Sequence, residues 1–163
     1  MQIALTINGE NLTFEVEPGE LLLDTLRAAG FTGAKKGCGE GTCGTCVVLL
    51  DGLPVNACVV FSAAAAGKEL TTIEGLGDVD NPHVLQQEFV NAGAIQCGFC
   101  TPGMVLSAKA LLDKNPKPDD EAIKDALDGN LCRCTGYVKI IDAVKNAAAV
   151  LASAEAGSEG GEQ

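Results

Sequence analysis

The chain has 163 residues and is 47% hydrophobic, yet it holds no Trp and only 4% aromatic residues, so its core must be built from Ala, Val, Leu and Ile. Lys plus Arg total 11 and Asp plus Glu total 22, a formal charge of −11, which argues against nucleic acid, where basic patches supply most of the affinity. No apolar run is long enough to span a bilayer. Met1-Gln2-Ile3 does not lead a basic segment into an apolar stretch, so no signal peptide and a cytoplasmic location are expected.

In chain order, Ile3 to Ile7 alternates apolar and polar residues as a half-buried strand does, Asn8-Gly9 signals a hairpin, and Leu12, Phe14 and Val16 alternate after it. Pro18-Gly19 marks a turn; Leu22, Leu23 and Leu26 sit at helical spacing, with Gly30 as a stop. Val47 to Leu50 and Leu53 to Val55 flank Asp51-Gly52, a second hairpin signal, and Leu70 to Ile73 reads as a closing strand. These pieces make a small sheet packed on one helix, over residues 1–74. Residues 75–82 carry Gly, Asp, Asn and Pro with little apolar weight and read as a linker. The period then becomes helical: Val84, Leu85 and Phe89; Met104 to Leu112 behind Thr101-Pro102; Ala122 to Leu127 behind Pro118-Asp119; and Ile140 to Leu151. Four helices over 83–156 suggest a compact bundle, and the polar, acidic 157–163 an unstructured tail.

The eight cysteines fall four to each half, and in a cytosolic chain they read as metal ligands rather than a disulfide framework. Cys38, Cys43, Cys46 and Cys58 give C-x4-C-x2-C with a fourth further on, the plant-type ferredoxin spacing for a 2Fe–2S cluster. Gly37, Gly39, Gly41 and Gly44 are interleaved with them, which lets the loop wrap closely and bring backbone N–H groups to sulfur. A zinc site would favour paired short knuckles instead. Cys97 and Cys100, then Cys132 and Cys134, each precede a helix, whose N-terminal partial charge would favour thiolates. By themselves these two pairs fit zinc, a 2Fe–2S cluster or a redox disulfide; the neighbouring set tilts them to iron and sulfide.

Three segments carry a resemblance: GCGEGTCGTC over 37–46, QCGFCTPG over 96–103 and NLCRCTG over 130–136. With them the chain, from about residue 3 to about residue 150, resembles the iron–sulfur unit of the xanthine oxidase family of molybdenum hydroxylases. The resemblance implies an α+β chain: an N-terminal β-grasp, plant-type ferredoxin-like domain followed by an all-α four-helix-bundle 2Fe–2S domain. It implies two 2Fe–2S clusters, the one on Cys38, Cys43, Cys46 and Cys58 nearer a flavin and the one on Cys97, Cys100, Cys132 and Cys134 nearer molybdenum. Gln96 and Cys134 match positions that approach a pterin. A large partner subunit with a molybdopterin dinucleotide cofactor and a further subunit with FAD are implied as well.

No catalytic residue is expected on this chain: His83 is the lone histidine, no nucleophile stands beside a base, and the Gly-rich stretches lack a phosphate-loop Lys-Ser/Thr. His83 and Tyr137 read as structural, Asp119 and Asp120 as a helix cap, and Arg133 as a salt bridge or interface residue; Lys35 and Lys36 read as solvated loop, ahead of docking an acidic partner or raising the potential of the first cluster. The implied role is electron transfer within a molybdenum-dependent oxidoreductase. The rival is a free-standing iron–sulfur redox sensor or a zinc-stabilised interaction module.

Overall fold

The computed structural model describes residues 1–158, with side chains to residue 154. Five strands, β1 (Gln2–Ile7), β2 (Glu10–Glu15), β3 (Val47–Leu50), β4 (Leu53–Asn56) and β5 (Glu69–Thr71), form one sheet in the order β2-β1-β5-β3-β4. β1 and β5 run parallel and the other neighbours antiparallel. Both hairpin turns are where Asn-Gly and Asp-Gly demand them. Asn8 and Gly9 have φ of 52° and 85°, Asp51 and Gly52 50° and 76°, so both central residues are left-handed, as the tight turn that matches strand twist requires.

Ile3, Leu5 and Ile7 of β1 point to one face of the sheet, where α1 (Leu22–Ala28) lays Leu22, Leu23 and Leu26 against them and against Val48 and Leu70. This is the grasp: a mixed sheet closed over one helix. A second core joins α2 (Val84–Asn91), α3 (Thr101–Lys114), α4 (Asp120–Leu127) and α5 (Val138–Ser158) around Leu85, Phe89, Met104, Ile123, Ile140 and Val144. The sheet-and-helix half and the four-helix half are thus as expected. The first two residues of the expected tail continue α5; residues 159–163 lie outside the described residues.

A third apolar cluster lies between the halves. Val47 and Leu49 on the outer face of β3 pack on Leu106 and Ala110 of α3. β3 is therefore covered on both faces, and that is why it reads Val-Val-Leu-Leu without alternation. The closing strand is shorter than the expected Leu70–Ile73: β5 ends at Thr71, and Ile73 starts a 3₁₀ turn, Ile73–Gly75, whose side chain packs toward α3. Residues expected as linker are tied down, with Asp78 Oδ1 accepting from the Asp80 and Asn81 N–H groups at 2.9 and 2.7 Å.

His83 caps α2. Its Nδ1 accepts from Leu85 N–H at 3.2 Å, while the His83 N–H donates to Gln86 Oε1 at 2.8 Å. Burial, then Lys109, hold its pKa below the ordinary value against the pull of Asp113. A depressed folded-state pKa means that this cap's contribution is fully present above the unfolded histidine value near 6.5 and is lost as pH falls through the folded one. His83→Ala should cost about 1 kcal/mol at pH 8 and less at pH 5, measured as the difference in urea midpoint between variant and parent chain. An equal difference at both pH values would show that the ring does not cap as a neutral acceptor. Asp119 caps α4 in the same way, accepting from Ala122 N–H at 2.8 Å, and Asp120 reaches Lys145 of α5 at 2.7 Å.

Candidate metal centres

The loop between α1 and β3 brings Cys38, Cys43 and Cys46 to one end of the sheet, and a 3₁₀ turn after β4, Ala57–Val59, delivers Cys58 to them. Gly39, Gly41 and Gly44 all have positive φ, between 70° and 81°. In that conformation the chain turns its N–H groups inward: those of Glu40 and Thr42 donate to Cys38 Sγ at 3.4 and 3.3 Å, and that of Cys38 to Cys43 Sγ at 3.4 Å. Such donors prefer thiolate over thiol. The Thr42 side chain and the Glu40 N–H draw Cys38 down to about 5. Cys46 is the opposite case, buried and pushed up to about 12 by that burial.

The second set gathers where α3 and α5 begin. Cys97 and Cys100 lie on the turn before α3, and Cys132 and Cys134 on the loop before α5. Cys134 and Cys97 are 3.6 Å apart at sulfur, and Cys100 faces Cys132. The expectation that helix N-termini would favour thiolates holds less well than burial does. Cys100 is the residue that opens α3, yet its thiol is pushed up to about 12 because its surroundings exclude water. Cys132 comes down to about 7: burial opposes, but the Thr135 hydroxyl at 3.1 Å and the Thr135 N–H at 3.4 Å outweigh it.

The sulfurs therefore meet in facing pairs: Cys38 with Cys43, Cys46 with Cys58, Cys97 with Cys134, Cys100 with Cys132. Among the described residues, no three ligating side chains close on a single point. A mononuclear tetrahedral ion draws four thiolates to one centre, whereas a two-iron rhomb asks for two thiolates at each end. Two thiolates on one tetrahedral metal with bonds of about 2.3 Å lie roughly 3.8 Å apart, close to the Cys97–Cys134 spacing. Both sets fit a 2Fe–2S group. Deprotonating Cys46 and Cys100 in their buried settings needs a nearby cation, so loading must release protons.

The two loops touch. Leu131 N–H donates to the Cys43 carbonyl at 2.9 Å, so a cysteine of the first set is bonded to the neighbour of Cys132. Asn130, 6% exposed, sends Nδ2 to Ser107 Oγ at 2.9 Å and crowds Gly44, where a Cβ would come within 2.5 Å of Asn130 Oδ1.

Gln96 and Cys134 are both exposed, and so are the apolar side chains near them in sequence, Ile95, Phe99, Leu131 and Val138. Lys36 pairs with Asp24 at 3.3 Å in solvent. Arg133 is exposed and makes no ion pair among the described residues. Tyr137 does more than pack: it has φ of 69° and accepts Cys132 N–H at its hydroxyl, 2.9 Å. Thr45, whose hydroxyl is 3.3 Å from Cys43 Sγ, and Asn56, which donates to the Gly41 carbonyl at 3.0 Å, also support the ligand loops. A hydroxyl two or three residues from a cysteine is a readable hint for Thr45 and Thr135. Nothing local marks Asn56, and Asn130 is marked only as the first residue of the NLCRCTG segment.

Residues 5–71 match the 2Fe-2S iron-sulfur cluster binding domain and residues 72–145 the 2Fe-2S binding domain. The chain is 52% identical over 146 residues to the nicotinate dehydrogenase small FeS subunit of Eubacterium barkeri, covering 89% of this chain and 93% of that one. A chain of the crystal structure of quinoline 2-oxidoreductase from Pseudomonas putida 86 superposes with a TM-score of 0.90 at 44% identity, covering 94% and 96%. Aldehyde oxidoreductase from Desulfovibrio desulfuricans gives 0.91 at 46%, covering 93% of this chain but 17% of that much longer one.

Proposed function

We infer the role of this chain from one premise: it belongs to the iron–sulfur subunits of the xanthine oxidase family of molybdenum hydroxylases. It is an electron-transfer subunit of an oxidoreductase, with a plant-type 2Fe–2S domain and a helical one. The observation that carries this role is the pairing of eight thiols from four segments, two of which a backbone hydrogen bond joins.

Residues 1–74 hold one cluster through Cys38, Cys43, Cys46 and Cys58. Residues 83–156 hold the other through Cys97, Cys100, Cys132 and Cys134, and residues 75–82 join the two units. When bound, the clusters supply one-electron redox chemistry. The chain's own residues hold them, aim N–H groups at sulfur, exclude water from Cys46, Cys58 and Cys100, and keep the two sites in contact through Cys43 and Leu131. Gln96 and Cys134 face a large partner subunit that carries a molybdopterin dinucleotide; the exposed apolar side chains near them in sequence are what such a partner would cover. The other end, at Cys38, serves an FAD subunit or an external acceptor. Eight free thiols suit a reducing, cytoplasmic setting.

The purified chain should carry two irons and two acid-labile sulfides for each four-cysteine set, with two distinct EPR signals after dithionite reduction. Cys100→Ser should remove the signal of the helical site and largely spare the other. Stoichiometric zinc without sulfide would sink the reading, and equal loss of both signals would sink the assignment of ligands.

A further inference from the structure

One side chain crosses from the first ligand loop to the second. Lys35 is fixed at its backbone to the first: its N–H donates to the Thr45 carbonyl at 3.0 Å, and its carbonyl accepts from Thr45 Oγ1 at 3.1 Å, the same hydroxyl that lies 3.3 Å from Cys43 Sγ. Its ammonium donates to the Gly33 carbonyl at 3.4 Å and lies 5.7 Å from the ring centre of Phe99, the residue between Cys97 and Cys100 in sequence. Lys35 is half-buried, and burial draws its ammonium below the ordinary value, with Glu74 pulling back most and then Cys100 and Cys97. The sequence suggested a solvated loop lysine; the fold encloses it at the junction instead. A charge placed there costs desolvation, which the Gly33 carbonyl, a neighbouring ring face and negative groups offset.

We propose that Lys35, carried on the ligand loop of the sheet domain, is a positioning residue that sets the reduction potential of the cluster held by the helical domain. The inference rests on the two-cluster reading above. Reduction adds one negative charge at the helical site. A fixed cation beside Phe99 stabilises that reduced form relative to the oxidised one, while the Lys35 backbone, neutral in both states, serves the first loop. At an effective dielectric of about 20, a unit charge roughly 10 Å away shifts a one-electron equilibrium about tenfold. The helical site thus becomes the better electron acceptor only while the two domains are docked.

The test is a redox titration of the fully loaded chain followed by EPR, so that cluster content is checked before any potential is read. In Lys35→Met both signals should persist, and the ratio of reduced to oxidised helical cluster should fall about tenfold, from one to about one tenth, at the potential where half of it is reduced in the parent chain. The plant-type signal should move much less, and Lys35→Arg should restore the parent value. If Lys35→Met fails to load, Glu74→Gln replaces it. That change keeps an acceptor for the Gly33 N–H, now 2.7 Å from Glu74 Oε1, but removes the negative charge that acts most strongly on Lys35, and it must raise the helical potential. Unchanged potentials, equal shifts of both clusters, or failure of Arg to restore the value overturn the proposal. Absence of two signals in the parent chain would instead overturn the two-cluster reading beneath it.

Discussion

A complex assembled with Cys43→Ser should lose steady turnover by about a hundredfold or more while still accepting the first electrons from substrate. Loss of a partner that merely supports a metal ligand costs roughly 10–100-fold, and Cys43 is proposed as a ligand itself. The substitution is informative because Cys43 has two roles that the change separates. Its sulfur pairs with Cys38; its carbonyl accepts from Leu131 N–H. Serine keeps the second and alters only the first, so the contact between the domains survives. Rapid mixing with substrate should then still reduce the molybdenum centre and the helical cluster, with reduction of the flavin or final acceptor slowed. Full turnover with the plant-type signal demonstrably absent would mean that electrons take another route.

The second large effect is expected from a single methyl group. Gly103, in the first turn of α3, lies directly on the Gly44 carbonyl oxygen, and a Cβ there would run into it and approach Asn130 Oδ1 at 3.1 Å. Neither neighbour can give way, since Gly44 has φ of 70° in the ligand loop and Asn130 is held by Ser107. Gly103→Ala must therefore lift α3 from β3, parting Leu106 and Ala110 from Val47 and Leu49. Overpacking of this kind costs about 1–3 kcal/mol. It should also stretch the Leu131–Cys43 hydrogen bond, so the loss should reach both ligand loops. Urea unfolding should show a lower midpoint and a broader transition, as the halves cease to unfold together. Ser107→Ala, which removes the Asn130 partner without adding bulk, should cost about 1–2 kcal/mol and keep the transition sharp. A Gly103→Ala chain with the parent midpoint would show that the junction is looser than its packing implies.

Local chemistry accounts for what could be read from the sequence alone. The Asn8-Gly9 and Asp51-Gly52 turns require left-handed residues that few others supply, and both fall where they were expected. Asp119 caps α4 through its own third neighbour. Cys38, Cys43 and Cys46, proposed as ligands, are kept on one loop by short spacing and glycines, so their proximity follows from the chain itself. Periodicity also announced the change from sheet to helices, with α2 to α5 in the expected places.

What only the tertiary structure decided involves residues far apart in sequence. A strand of four apolar residues says that both faces are covered, but not that α3 covers the second one; that needed Leu106 and Ala110 to arrive from beyond the linker. The same docking ends β5 at Thr71, because Ile73 finds a better place against α3 than in the ladder. It turns Lys35 from a solvent cation into an enclosed one over Phe99, and gives Asn130 its place between Gly44 and Ser107. Thiol pairing is the clearest instance. Cysteine spacing names the eight sulfurs, but which two face each other is set by helix starts that pack only once the core of Leu85, Phe89, Met104 and Ile140 has formed. Burial there, not helix position, then pushes Cys100 up to about 12, because the cost of a charge depends on the water excluded by the whole fold rather than on the residues beside it in the chain.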